Sequence, residues 1–223
     1  MSTEHAEDHE HPSYLAHHFH TVQQQVDSAK LGMWLFLVTE VLFFSGLFMA
    51  YIAVRTWYPE MFLDTSYQLD WKLGAVNTIV LLFSSLTVAL AVREAQLADP
   101  KNPQTGKMVG YIAVTILCAM GFLLVKYIEY SAKIDHGFVP GFLFTGEGLL
   151  DNAHLFFGVY FCMTGLHGIH VVLGIGVLTW IGIRASRGDF HKRYHVPLEN
   201  AGLYWHLVDL IWIFLFPLLY LVK

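Results

Sequence analysis

The stretch LGMWLFLVTEVLFFSGLFMAYIAV, residues 31–54, is apolar or aromatic except for Thr39, Ser45 and one carboxylic acid, Glu40. As a helix it is long enough to cross the ~30 Å hydrocarbon core of a bilayer. Lys30 and Arg55 bracket it, and long cationic side chains at helix ends reach the interface. The stretch therefore predicts a transmembrane helix, and we interpret the rest of the chain as helices packed beside it.

Glu40 is predicted to lie close to the bilayer midplane, because about ten helical residues place it ~15 Å into the stretch. An ionised carboxylate at that depth is costly, so we expect Glu40 to be protonated, paired or turned into the protein. An intramembrane acid is a functional-site hypothesis, and the alternative is a protonated Glu40 bonded to a neighbouring helix. Its neighbours on the helix form an apolar, largely aromatic wall: Phe36, Leu37, Phe43, Phe44 and Leu47.

The composition is typical of an integral membrane protein. Of 223 residues, 55% are hydrophobic and 14% are charged, and the mean hydropathy is +0.48. The formal net charge of −5 gives no sign of the basic surface that is typical of nucleic-acid-binding proteins. The sequence contains no GxGxxG, P-loop, GxSxG or HExxH motif, so nucleotide-binding and hydrolase functions have no support. Cys118 and Cys162 lie in apolar runs, which predicts packing residues rather than metal ligands or a disulfide.

Residues 1–29 form a polar, histidine-rich tail before a predicted transmembrane domain over residues 30–223. The tail lacks the basic and apolar regions of a signal peptide, so we expect the first span to act as the insertion signal. Its histidines favour either a solvated tail or metal binding, although they lack the fixed spacing of a zinc site: His5, His9, His11, His17, His18 and His20.

Four further apolar segments, over residues 73–92, 108–128, 152–184 and 201–222, predict an all-α bundle of five transmembrane helices. The connection over residues 55–72 carries aromatic residues typical of the membrane boundary, and we interpret it as a loop. In the fourth segment, glycines on one helical face predict close helix packing: Gly158, Gly165 and Gly176, with Gly168 nearby.

Basic side chains are concentrated in the connections that follow the second and the fourth span. They are Arg93, Lys101 and Lys107, then Arg184, Arg187, Lys192 and Arg193. The positive-inside rule therefore predicts a cytoplasmic N-terminus and a C-terminus outside. The chain has no internal repeat beyond the alternation of spans, which leaves an inverted-repeat transporter without support.

Seven polar side chains in or near the spans are candidates for chemistry: Glu40, Glu129, His154, His167, His170, His206 and Asp209. One interpretation is that they are hydrogen-bonded groups of a bundle that packs on a partner. Lys126 and Glu129 are three positions apart on one helical face, and so are His206 and Asp209. Either pair is predicted to interact.

Two other interpretations remain open. A membrane cytochrome would bind haem through His167 or His170 opposite His206, although the depths of these residues match poorly. A proton or ion channel would use acids on different helices as pieces of a relay: Glu40, Asp209 and Glu129.

Five segments, in order, resemble subunit III of the haem–copper terminal oxidases, the cytochrome c oxidase subunit III family. They are KLGMWLFLVTEVLFFSG (residues 30–46), NTIVLLFSS (77–85), EY (129–130), GLHGIHVVLG (165–174) and YWHLVDLIWIF (204–214). Many members have seven helices, two followed by five, with a lipid-filled cleft between the groups. This chain starts at the five-helix group and so resembles the short bacterial form. The other wall of the cleft is then missing or supplied by a different chain.

The resemblance implies an accessory subunit of a respiratory oxidase in the bacterial inner (plasma) membrane. In this family, subunit I reduces O₂ to water and pumps protons, and electrons arrive through subunit II. The resemblance implies that this chain holds no haem or copper, packs on subunit I and binds phospholipid. It also implies a role in sustaining proton uptake and durable turnover.

The residue that matches the family's buried glutamate is Glu40, which the resemblance associates with lipid and with a proposed apolar route for O₂. An aromatic wall of Phe36, Phe43 and Phe44 is compatible with such a route, since it admits a small apolar gas and excludes water. We expect structural roles for most of the other matching polar residues: Glu129, His167, His170, His206 and Asp209.

Overall fold

The computed structural model describes residues 17, 19–99, 105–141, 144–145 and 149–222, and these form six helices and no strand. The helices are α1 (Val22–Trp57), α2 (Pro59–Ser66), α3 (Trp71–Leu97), α4 (Thr105–Asp135), α5 (Ala153–Ser186) and α6 (Val196–Tyr220). All except α2 are long and apolar enough to cross a membrane. The predicted all-α architecture with five spans is therefore confirmed. Most of the histidines invoked for metal binding in the tail lie outside the described residues: His5, His9, His11 and His18.

α1 begins at Val22, within the stretch predicted as a polar tail. The hydroxyl of Thr21 accepts a hydrogen bond from the backbone N–H of Gln24 at 3.1 Å, which satisfies one free donor of the first turn. Gln23 and Asp27 then form a side-chain hydrogen bond of 2.8 Å across one turn. These local polar bonds extend the helix beyond its apolar stretch.

The connection interpreted as a loop contains the short helix α2, so that part of the prediction is wrong. Pro59 starts α2, where its fixed φ suits the first helical turn. Met61 and Phe62 are buried, and the hydroxyl of Ser66 donates to the backbone carbonyl of Val222 at 2.6 Å. An isolated helix of this length is unstable in water. Packing of its apolar face on α1 and α5 therefore stabilises α2.

α6 is the most enclosed span of the bundle and contacts α1, α3 and α5. In its most apolar 18-residue stretch, 50% of the residues are buried, whereas the corresponding fraction for α1 is 17%. Trp205 and Trp212 are fully buried, and both indole N–H groups donate to hydroxyls of α3, those of Ser84 at 3.0 Å and Thr78 at 3.1 Å. The core of the protein therefore lies between α6 and its neighbours, and α1 is attached to one side of it.

Close packing between α5 and α6 occurs at Gly174 rather than on the glycine face predicted from the sequence. A Cβ atom at Gly174 would lie 2.7 Å from the ring of Trp205, so only glycine permits this approach. Gly168 and Gly176, two of the predicted positions, have no neighbouring atom within 4 Å of such a Cβ. The prediction is wrong at these positions because small residues on a membrane helix also occur where it faces open space.

Cys118 on α4 and Cys162 on α5 are free thiols. Cys118 is partly covered, whereas Cys162 is exposed on the surface of the bundle. The prediction of a packing role is therefore wrong for Cys162.

Candidate functional site

Glu40 and His170 form a pair between α1 and α5, near the middle of both helices. Nε2 of His170 lies 2.9 Å from Oε2 of Glu40, and the two side chains are 14% and 18% exposed. Of the three states expected for Glu40, the structure shows the paired one. The pair is the polar link that joins α1 to the rest of the bundle at mid-membrane depth.

A hydrogen bond within this pair requires one proton between the two side chains. Nδ1 of His170 lies 2.8 Å from the backbone carbonyl oxygen of Leu166, which can only accept, so Nδ1 carries a hydrogen and donates it. Nε2 then accepts from a protonated Glu40 or, when it is itself protonated, donates to the Glu40 carboxylate. Neither form has a net charge, so the pair is suited to the low-dielectric interior of a membrane.

Aromatic rings surround the pair, but the three predicted phenylalanines differ in position. Phe44 packs edge-on against the imidazole of His170 with centroids 5.1 Å apart and is only 1% exposed. Phe43 has its centroid 6.2 Å from the same ring and is 46% exposed. Phe36 is 40% exposed and packs against Tyr204 at 5.9 Å. Phe44 is therefore a packing residue between helices, whereas Phe36 and Phe43 form an apolar wall that faces the membrane.

An apolar groove lies between the level of the pair and the end of the bundle where α1 begins. We call it the α1–α5 groove. It has a volume of about 510 Å³, and its lining includes Met33, Phe36, Leu173, Val177, Trp180 and Tyr204. Tyr204 lies beside the pair, because its hydroxyl donates to the backbone carbonyl of His170 at 3.1 Å. Asn200 lines the other end and bonds the backbone carbonyl of Ala29 at 3.5 Å. The groove therefore lies between the helix ends and the level of the Glu40–His170 pair, and neither residue of the pair is part of its lining.

A second polar cluster is buried between α4, α5 and α6. Nζ of Lys126 lies 2.9 Å from Oε2 of Glu129, so the structure contains the pair predicted from their spacing. The hydroxyls of Tyr160 and Tyr220 donate to Oε1 of Glu129 at 3.0 and 2.7 Å. Nζ also lies between 5.1 and 5.6 Å from the centroids of four aromatic rings, a cation–π arrangement. The cluster is therefore charge-balanced and closed to solvent.

The remaining candidates occupy three separate environments. Nδ1 of His206 lies 2.7 Å from the hydroxyl of Ser85 on α3. Asp209 is 3% exposed, and its carboxyl oxygens have no hydrogen-bond partner among the described residues. His167 is fully buried between aromatic rings of α4 and α6. The predicted interaction between His206 and Asp209 is wrong, because Nδ1 of His206 forms a hydrogen bond with the hydroxyl of Ser85 on α3 instead.

The three histidines proposed for a haem differ in how far the bundle occupies their nitrogens. Both nitrogens of His170 are engaged, one by the carbonyl of Leu166 and the other by Glu40. His206 uses one nitrogen for α3, whereas His167 is fully buried and neither of its nitrogens has a hydrogen-bond partner among the described residues. In the part of the chain that the structure describes, no group of three or more His, Cys, Asp or Glu side chains is arranged to hold a metal ion.

The acids proposed for a relay are not joined to one another by hydrogen bonds within the described ranges. Glu40 bonds His170, and Glu129 bonds Lys126 and two tyrosines. The carboxyl oxygens of Asp209 have no hydrogen-bond partner among the described residues. The three acids therefore lie in separate environments.

His170 was a candidate from the sequence, but its pairing with Glu40 was not predicted, and the two tyrosines that complete the second cluster were missed. His170 is 130 positions from Glu40, and Tyr160 and Tyr220 are on different helices from Glu129. One usable signal exists for the first pair, since both residues are predicted near the middle of their spans and therefore at similar depth. His154, at the start of α5, packs beside an aromatic ring of the preceding connection, with centroids 6.0 Å apart, and belongs to neither cluster.

We expect a hydrophobic carbodiimide to modify Glu40 before the other buried acids. Such reagents attack protonated carboxyls in apolar sites, and Glu40 is 18% exposed beside phenylalanines that face the membrane. Glu129 and Asp209 are only 5% and 3% exposed, which shields them from a reagent arriving through lipid. Peptide mapping by mass spectrometry measures the order of labelling, and earlier modification of Glu129 or Asp209 would contradict this assignment.

Comparisons with known proteins agree over nearly the whole chain. The family model described as cytochrome c oxidase subunit III matches residues 6–223. Cytochrome c oxidase subunit 3 of Thermostichus vulcanus is 31% identical over 227 residues, which cover 100% of this chain and 93% of that protein. Its namesake in Bacillus subtilis (strain 168) is 31% identical over 192 residues, 86% of this chain and 85% of that protein. Heme-copper oxidase subunit I+III of Aeropyrum pernix is 29% identical over 202 residues, 88% of this chain and 23% of that protein. This chain therefore belongs to the cytochrome c oxidase subunit III family.

Proposed function

We propose that this chain packs on the catalytic subunit I of a respiratory haem–copper oxidase, beside subunit II, and holds no haem or copper itself. In that complex it supports proton uptake and O₂ access while subunit I reduces O₂ to water. The observation that carries the proposal is a charge-neutral Glu40–His170 pair, placed at mid-membrane beside an apolar groove, in a chain that matches the family almost from end to end.

Contact with subunit I is supported by a relative that bears the names of both subunits. The Aeropyrum pernix protein is named subunit I+III, and this chain matches 23% of its length. Joining two modules in one polypeptide raises their effective concentration, which favours contact between them. In the present chain α1 offers a broad apolar surface for a neighbour, since Trp34, Leu35 and Leu42 are 60%, 60% and 66% exposed.

Phospholipid is the proposed occupant of the α1–α5 groove. Its walls, which include Phe36, Val177 and Trp180, suit an acyl chain. The guanidinium of Arg184 lies 5.2 Å from the ring of Trp180, close to the end of α5, and a headgroup phosphate there would share it with Asp189, whose carboxylate lies 3.0 Å from Nε. An acyl chain in this groove would extend toward the level of the Glu40–His170 pair.

The same region supports the proposed roles in O₂ access and proton uptake. Phe36 and Phe43 present a hydrocarbon-like surface beside Glu40, and O₂ is a small apolar molecule that dissolves in such surroundings. The shared proton can rest on Glu40 or on His170 without leaving a net charge inside the membrane. A site of this kind tolerates proton movement within the pair and excludes water from its membrane side.

The proposed orientation places the start of α1 in the cytoplasm and the end of α6 outside, in the plasma membrane of a bacterium. The ends of α3 and α5 and the starts of α4 and α6 lie on the same side as the start of α1 in a five-span bundle. Basic side chains at this end support the orientation through the positive-inside rule: Arg93, Lys107, Arg184, Arg187, Lys192 and Arg193.

Purification of the oxidase complex from its native membrane tests the proposed function. We expect this chain to co-purify with subunits I and II, and the haem spectrum to stay with subunit I when this chain is dissociated. A Soret band in the isolated chain would instead support an independent membrane cytochrome. Ion conduction by the isolated chain in vesicles would support a channel.

Glu40→Gln should leave assembly of the complex largely intact, because the amide keeps the shape of the side chain and still bonds Nε2 of His170. Glu40→Leu should lower the free energy of unfolding by about 1–2 kcal/mol, since it leaves that nitrogen without a partner. The fraction of this chain in the purified complex and its thermal unfolding measure both effects. Loss of the chain from the complex in the Gln variant would show that the carboxyl group itself is structural.

Val177→Trp should displace phospholipid from the α1–α5 groove, because Val177 lines it and an indole would fill part of its volume. Val172→Trp on the same helix is the matched control, since Val172 is 55% exposed and lies outside the groove lining. Native mass spectrometry of the purified complex measures the bound lipid. Equal lipid content in the two variants would argue against this site.

A further inference from the structure

A second apolar groove lies between α1 and α6, and it contains a hydrogen-bonding atom without a partner. We propose that this α1–α6 groove seats a transmembrane helix of another oxidase subunit, which presents a polar side chain to Nε2 of His206. The groove has a volume of about 410 Å³, and Trp34, Val41 and Leu210 are among its lining residues. His206 is the one titratable residue in that lining. This contact rests on the proposed oxidase function. It identifies a surface through which this chain would join the oxidase complex.

His206 is held so that its second nitrogen faces the groove. Nδ1 lies 2.7 Å from the hydroxyl of Ser85, which commits this atom to the interior of the bundle. The imidazole lines the groove, and Nε2 has no hydrogen-bond partner among the residues that the structure describes. A polar atom is therefore left on an otherwise apolar, membrane-facing surface.

The depth of His206 decides which molecules can satisfy Nε2. α6 starts at Val196, ten residues earlier, so His206 lies ~15 Å along the helix axis from that end. This is near the midplane of a ~30 Å hydrocarbon core, so the poor depth match with His170 expected from the sequence is wrong, and phospholipid headgroups are out of reach. Acyl chains offer neither donor nor acceptor, and an unpaired polar group in hydrocarbon is costly. Hydroxyl and amide side chains of a neighbouring helix form such bonds between spans.

The shape of the groove suits side chains from about two turns of a helix. α1 and α6 both start at the same end of the bundle, where Asn200 bonds the carbonyl of Ala29. Groove residues 34–42 of α1 therefore run beside residues 203–210 of α6, a length of ~12 Å. Two groove residues, Trp34 and Leu210, are 60% and 49% exposed, which leaves apolar area for a partner helix to cover.

Photocrosslinking in the intact oxidase complex tests the contact. A benzophenone side chain at Leu210, one turn from His206, should crosslink to a membrane-spanning segment of another subunit, identified by mass spectrometry. The same probe at Leu117 of α4, a 66% exposed residue outside the groove, reports the background of lipid adducts. Adducts at Leu210 with lipid or a small membrane-soluble molecule alone, in a complex that retains this chain, overturn the proposal. Absence of this chain from any oxidase complex overturns the proposed function as well.

Two matched variants separate the groove contact from a role inside the bundle. His206→Leu removes Nε2 and should lower the fraction of this chain retained in the detergent-washed complex about three- to tenfold, the range for one hydrogen bond between spans. Ser85→Ala removes the internal bond but keeps the imidazole, and should change retention by less than about twofold. An equal loss in both variants, or no loss in His206→Leu, overturns the proposal.

Discussion

Replacing Lys126 with Met should lower the free energy of unfolding by about 3–5 kcal/mol, the range for breaking a buried ion pair. Met keeps an unbranched apolar side chain but removes the Nζ atom that lies 2.9 Å from Glu129. Glu129 is 5% exposed and would remain as an uncompensated carboxylate, or take a proton at the expense of its bonds from Tyr160 and Tyr220. Unfolding by heat or denaturant in detergent micelles measures the loss.

A second substitution shows whether charge balance is the cause. Lys126→Met combined with Glu129→Gln leaves no unpaired charge and should recover most of the lost stability. Lys72→Met is the matched control, because Lys72 is exposed at the start of α3, and it should change stability by no more than about 0.5 kcal/mol. If Lys126→Met alone stays within about 1 kcal/mol of the natural protein, the cluster does not stabilise the bundle as we infer.

Gly174→Leu should separate α5 from α6 and destabilise the protein by about 3 kcal/mol, the upper end for an overpacked core. Even a Cβ atom at this position would lie 2.7 Å from the ring of Trp205. Trp205 is fully buried, and its indole N–H donates to Ser84, so the ring cannot yield without losing that bond. Thermal unfolding measures the loss of stability, and tryptophan fluorescence reports the displaced ring.

Gly176→Leu is the matched control for this prediction. The same side chain is added two residues further along α5, where no atom lies within 4 Å of the added Cβ. Leucine is also a better helix former than glycine, so stability should be unchanged or rise by up to about 1 kcal/mol. Similar destabilisation by the two substitutions would contradict the assignment of Gly174 as the site of close approach.

The spans were predictable because burial in lipid requires long apolar runs, and such runs are visible without knowledge of neighbours. The helix α2 was missed because its stability comes from packing on α1 and α5 rather than from its own residues. The start of α1 was missed for a different reason. Thr21, Gln23 and Asp27 hold the first turns by polar bonds, and these leave no mark in a hydropathy pattern.

Side-chain partners were predictable only where they are close in the chain. Lys126 and Glu129 are three positions apart, so helical geometry alone brings them together. The same reasoning failed for His206 and Asp209, because Ser85 of another helix competes for the imidazole. The pairing of His170 with Glu40 depends on which helices are neighbours, and that arrangement is decided by packing such as the approach of Trp205 to Gly174.

The burial of α6 has a consequence for biogenesis. Ribosomes make α6 after the other five helices, yet it supplies Trp205 to α3 and Tyr220 to the Lys126–Glu129 cluster. Until α6 is synthesised and inserted, the other helices therefore lack its packing contacts, and the Lys126–Glu129 ion pair lacks one of its hydrogen-bond donors. A product truncated before α6 would therefore lack both the indole and the phenol that complete these contacts.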